Sequence, residues 1–105
     1  MIKVTVIALG KLKEKYLTEA VNEYKKRLSR YCNFEIVEIE PVKLPEKPSQ
    51  SEIDIALSKE AELILKKISA DSLVISLCVE GKGLSSPEFA EKIRENSNLG
   101  KNLTF

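Results

Sequence analysis

The chain has 105 residues, with 17 Lys and Arg against 16 Asp and Glu, and it holds neither His nor Trp. That length supports one domain, residues 1–105, burying about two-thirds of the surface its unfolded form exposes. Without His the chain carries no Ser-His-Asp triad, no Cys-His pair and no imidazole metal ligand, and two cysteines do not build a tetrahedral zinc site.

Residues 2–9 read as a strand, β-branched and nearly continuously apolar, as in a sheet covered on both faces. Lys3 interrupts the start of that run and Lys11, Lys13 and Lys15 follow it, a pattern of a buried strand rather than of an export signal. Gly10 ends the strand. The spacing of Leu17, Ala20, Val21, Tyr24, Leu28 and Tyr31 predicts a long helix over about 13–31 with one apolar stripe. Phe34 to Glu40 reads as a second strand with its glutamates facing water on one side. Pro41, Pro45 and Pro48 then predict an exposed, extended loop.

Ser49 or Ser51 caps the next helix, whose expected inner face is Ile53, Leu57, Ala61, Ile64 and Ile68. Ser72 to Val79 reads as a third strand and Glu80 to Gly83 as a turn. Ser85-Ser86-Pro87-Glu88 is a capping box with proline in the first turn, opening a helix with Phe89, Ala90 and Ile93 inside. Asn102 to Phe105 begins a fourth strand with an edge expected to favour self-association. The order β-α-β-α-β-α-β predicts an α/β fold with a mostly parallel sheet. No stretch approaches the roughly 18 apolar residues of a membrane span.

Cys32 and Cys78 match no metal or redox spacing. Reduced, inert thiols suit a Lys- and Glu-rich chain better than a disulfide, which the spacing leaves open. Charge is uneven. Residues 10–31 carry seven basic and three acidic side chains, whereas residues 32–64 carry eight acidic and three basic ones. The basic segment suits either a phosphate backbone or a solvated helix face with pairs such as Glu23–Arg27. Gly10-Lys11 and Gly81-Lys82-Gly83 match no phosphate-loop fingerprint, which leaves little for a stand-alone nucleotide-binding half-fold. They do follow the first and third strands, at the sheet edge where parallel sheets place ligands. No carboxylate pair suits acid/base roles.

Four segments carry a family pattern in register: Gly10-Lys11-Leu12-Lys13-Glu14-Lys15-Tyr16, Glu23 through Tyr31, Lys59-Glu60 through Leu65, and Leu84-Ser85-Ser86-Pro87-Glu88-Phe89-Ala90. They resemble the ribosomal RNA large subunit methyltransferase H family of the SPOUT class, and the likeness runs through the Pro45-Glu46 loop over the whole chain. The resemblance implies a cytoplasmic, homodimeric enzyme with an α/β-knot fold. It implies methyl transfer from S-adenosylmethionine, without a metal, to N3 of a pseudouridine in helix 69 of 23S rRNA in assembled ribosomes.

Carried over residue by residue, the resemblance makes Leu77 a cofactor contact and Gly81-Lys82 the family's Gly-Lys turn. Cys78 stands where the family has an acidic residue, and Ala61 and Leu63 replace its common Gly and Arg. Lys11, Lys13, Arg27 and Arg30 become candidates for rRNA phosphate contact, and no catalytic residue is assigned within the chain. The family continues past the strand at Leu103-Thr104-Phe105 into a Gly-Gly-Ser cofactor loop, the knotted helix and a His-containing tail. The chain is therefore expected to be incomplete at its C-terminus, truncated before the knot and lacking most of the cofactor site. The alternative is a non-catalytic relic, or a small RNA- or protein-binding module.

Overall fold

The structure, a computed structural model, describes residues 2–105; Met1 of the expected domain lies outside the described residues. The elements are β1 (Lys3–Leu9), α1 (Lys15–Leu28), β2 (Asn33–Ile39), α2 (Gln50–Leu65), β3 (Ser72–Val74), α3 (Ser86–Asn98) and β4 (Asn102–Thr104). Their order is the one the periodicities predict. All four strands run parallel in the order β2-β1-β4-β3.

Parallel crossovers are right-handed, so β1-α1-β2 and β3-α3-β4, which move the same way across the sheet, place α1 and α3 on one face. The opposite step from β2 to β3 places α2 on the other. Register agrees. Val4, Phe34, Leu73 and Leu103 stand side by side, and Phe105, two residues beyond Leu103, meets Phe89 of α3 at 5.7 Å between ring centroids. On the α2 face Thr5, Thr104 and Ile39 are buried. The Thr104 hydroxyl donates to Ser72 Oγ at 3.0 Å.

The expected open edge on the fourth strand does not exist. The return through α3 sets β4 between β1 and β3. Phe105 N–H donates to Thr5 O at 2.8 Å, Ile7 N–H to Phe105 O at 2.7 Å and Ile75 N–H to Thr104 O at 2.8 Å. The sheet edges are β2 and β3. The third strand is also shorter than expected, because its ladder ends with the Ile75 bond and Ser76 to Val79 have no strand beside them.

Both serine caps form in full. Ser49 and Ser85 accept the N–H groups of Glu52 and Glu88, whose carboxylates accept from the serine N–H groups in return. In α2 the inward residues are Ile53, Ala56, Glu60 and Ile64, while Leu57 and Ala61 are exposed. Glu60 turns inward because its carboxylate accepts the Val42 N–H at 3.0 Å, which ties the proline loop to the helix. The glutamates of β2 do not share one side: the twofold strand period puts Glu35 beside Thr5 and Lys3, and Glu38 on the α1 face.

The accessible surface is 8513 Å², against about 5,900 Å² for a folded monomer of this mass. The radius of gyration is 16.0 Å, against about 13 Å for a compact chain of this length. The sheet is thus only partly covered, with Leu9 and Val74 exposed on the face that α2 occupies.

Candidate functional site

The carboxyl edge of the sheet gathers the loops after β1, β2 and β3. Gly10 makes the first turn at φ +102°, a region that suits glycine, and its N–H donates to Ile39 O at 2.8 Å. This bond pins the start of the Lys11 loop against the end of β2. Adjacent strands β1 and β2 send their chains to opposite faces here, and such a divergence opens a crevice where α/β sheets bind ligands.

A groove of about 510 Å³ lies at that place, between α1 and the sheet, within the roughly 300–1,000 Å³ range of ligand clefts. Val6, Ala8 and Ile36 form its apolar floor, and Lys11, Asn22, Lys25 and Glu38 supply polar groups. Thr18, Asn22 and Glu38 were not candidates from sequence. The signal for Thr18 and Asn22 was the spacing Thr18, Val21, Asn22, Lys25, a second stripe on α1 beside the apolar one.

That second stripe is the one facing the sheet. The helix repeat sets it about 80° around from the line of Leu17, Tyr24 and Leu28. Within α1 only Val21 is half-buried, and every other side chain is exposed. The expected apolar stripe is real in sequence but lies largely on the solvent side. The helix also ends at Leu28 rather than Tyr31: Ser29 is the C-cap and its N–H donates to Lys25 O, and the Tyr31 and Cys32 N–H groups turn back to Leu28 O.

Leu77 follows the third strand at the same sheet edge as Lys11, but it lies outside the groove and is 75% exposed. Next to it the chain folds tightly, with Gly81 N–H donating to Cys78 O at 3.1 Å; a Cβ at Gly81 would sit 3.1 Å from that oxygen. An exposed leucine beside a tight glycine turn suits one wall of a site for a cofactor with an apolar part. Cys78 is exposed and free.

The four basic candidates do not converge. Lys11 borders the groove and Lys13 precedes α1, at the carboxyl edge; Arg27 and Arg30 stand at the other end of the helix, about 21 Å away for 14 residues. Arg27 already donates to Glu23 at 3.1 Å and lies over the Tyr24 ring at 5.8 Å. Lys13 and Arg30 are exposed. The four therefore fall in two pairs, one at each end of α1, rather than in one pocket.

Cys32 is buried below the sheet's other end and free, and burial raises its thiol pKa. Among the described residues no cluster of three or more His, Cys, Asp or Glu is placed to hold a metal ion, and no helix is long and apolar enough to cross a membrane.

A family model described as "Predicted SPOUT methyltransferase" matches residues 2–105. A protein of Limosilactobacillus reuteri named "Ribosomal RNA large subunit methyltransferase H" is 47% identical over 103 residues, covering 97% of this chain and 65% of its own. One of the same name from Clostridioides difficile is 46% identical over 101 residues, 91% of this chain and 64% of its own. A Methanococcus maripaludis protein is 48% identical over 103 residues, with coverage of 97% and 65%. The chain thus spans about 65% of the length of these relatives.

Proposed function

This chain belongs to the SPOUT methyltransferase family, and we propose that it forms the α/β part of an S-adenosylmethionine-dependent methyltransferase acting on large-subunit ribosomal RNA. The observation that carries this is identity of 46–48% with the three relatives above, spread over more than nine-tenths of the chain. A fold alone would not specify the activity.

When bound, S-adenosylmethionine supplies a methyl group activated by its positively charged sulfur. The residues present fit one side of such a ligand. Leu77 offers an exposed apolar surface that keeps water from the neighbouring part of the cofactor, and the Cys78–Gly81 turn brings backbone close beside it. Cys78 gives that position no carboxylate. Lys11, Lys13, Arg27 and Arg30 neutralise phosphates of the RNA along α1, which holds the substrate without reading its sequence. Placement of donor and acceptor is the protein's main contribution, since small misplacements cost large factors in rate. In keeping with the family resemblance, the acceptor is N3 of a pseudouridine in 23S rRNA of assembled ribosomes, and the working form is a cytoplasmic homodimer.

Calorimetric titration of the purified protein with S-adenosylmethionine, together with its mass in solution, tests this reading. Weak saturable heat and a dimeric mass are expected. Absence of heat with a monomeric mass overturns the enzyme reading for this chain and favours a non-catalytic RNA- or protein-binding module.

A further inference from the structure

Tyrosine is ordinarily intermediate in burial, with its ring at least partly covered. All three tyrosines of this chain, Tyr16, Tyr24 and Tyr31, fall in the basic segment, and they are 68%, 63% and 74% exposed. Rotation of α1 about its axis puts Thr18, Val21, Asn22 and Lys25 against the groove and leaves these rings in solvent. Tyr16 and Tyr24 stand about 12 Å apart along the helix and about 80° apart around it, and Tyr31 follows just past its C-cap. Lys26, Arg27 and Arg30 lie among them, all exposed.

We propose that Tyr16, Tyr24 and Tyr31, set among Lys26, Arg27 and Arg30, form a stacking platform for unpaired bases of an RNA strand. The inference rests on the RNA-methyltransferase reading and adds how the RNA is held. Exposed rings interleaved with cations are the means by which proteins hold single strands: each base stacks on a ring face and each phosphate meets a cation. Arg27 over Tyr24 at 5.8 Å steadies that ring and leaves its other face to a base. A duplex offers no free base faces, so the platform selects single strands, loops and bulges. Charge supplies the complementarity, since residues 10–31 carry four more basic than acidic groups.

The chain has no tryptophan, so on excitation beyond the phenylalanine band its intrinsic emission comes from these three residues alone. Titration of the purified protein with a short single-stranded oligouridylate, and separately with a blunt RNA duplex, is the test. Binding of the single strand with quenched tyrosine emission is expected. Tyr24→Ala should weaken it by about 5- to 150-fold, as expected for loss of one stacked base, while Tyr24→Phe, which keeps the ring, restores it. The exposed position of Tyr24 makes both variants foldable, and circular dichroism checks this. Single-strand binding with unchanged emission and no effect of Tyr24→Ala overturns the platform but leaves the RNA reading intact. Equal affinity for the duplex also overturns it, as does a dimer in which iodide cannot quench the tyrosines. No binding to either RNA overturns both this proposal and the RNA reading beneath it.

Discussion

Leu103 of β4 stands opposite Val4 of β1, with 1% of its surface exposed. Leu73 flanks it on the other side, so one side chain joins the strand pair formed first in the chain to the pair formed last. Leu103→Ala should therefore destabilise the fold by about 2–5 kcal/mol, as for a large-to-small change at a buried site. The urea midpoint measures this. An unchanged midpoint would mean that β4 does not hold the centre of the sheet.

Helix α3 depends on its cap. Ser85 and Glu88 exchange two hydrogen bonds at 3.2 Å each. Ser85→Ala should cost about 1 kcal/mol and loosen α3 before the sheet, which hydrogen exchange at Phe89 and Ala90 reports.

The same cap gives a pH dependence. Hydrogen bonds with the Ser85 side chain and backbone hold the Glu88 carboxyl below the usual carboxylate range. A carboxylate whose pKa is lower in the folded state contributes stability above its unfolded pKa and loses it as pH falls through the folded value. Protection of the first turn of α3 should hold at neutral pH and fall in acid, as the pH drops through and below the usual carboxylate range. Glu88→Gln should flatten that part of the profile, and an identical profile in the variant would contradict the assignment.

The two thiols should react at separate rates. Cys78 is exposed, whereas Cys32 is buried and its pKa is raised by burial. A chromogenic disulfide reagent should label one thiol quickly and the second only slowly at neutral pH, the second accelerating in urea. Two equal rates would place Cys32 at the surface.

Phosphate contact predicts salt slopes. Lys11→Ala, Lys13→Ala and Arg30→Ala should each lower the slope of log affinity against log salt by about 1 for RNA. Arg27→Ala should lower it by less, because Glu23 already shares that guanidinium. Parallel salt lines for all four variants would remove them from the RNA contact.

Local chemistry was legible in the sequence and long-range rotation was not. Ser85 announced its cap because a capping box needs only residues three apart, whereas the choice of Ser49 over Ser51 came from the structure. Gly10 announced its turn just as locally. The apolar spacing of Leu17, Tyr24 and Leu28 gave a helix, but it could not say which side faces the sheet, because Thr18, Asn22 and Lys25 make a second stripe. The position of β4 between β1 and β3 rests on pairings such as Leu103 with Val4 and with Leu73, which join residues that share no local pattern. Leu77 was legible through family likeness alone; its exposure came from β3 ending early, which no nearby residue signals.

Titration of isotopically labelled protein with S-adenosylmethionine, read residue by residue by nuclear magnetic resonance, is the most direct test of the proposed methyltransferase. Shifts confined to Leu77, Cys78 and Gly81, and lost in Leu77→Asp, are the expected result. No shift at Leu77 while the cofactor is in large excess, or the same shifts in Leu77→Asp, would contradict it.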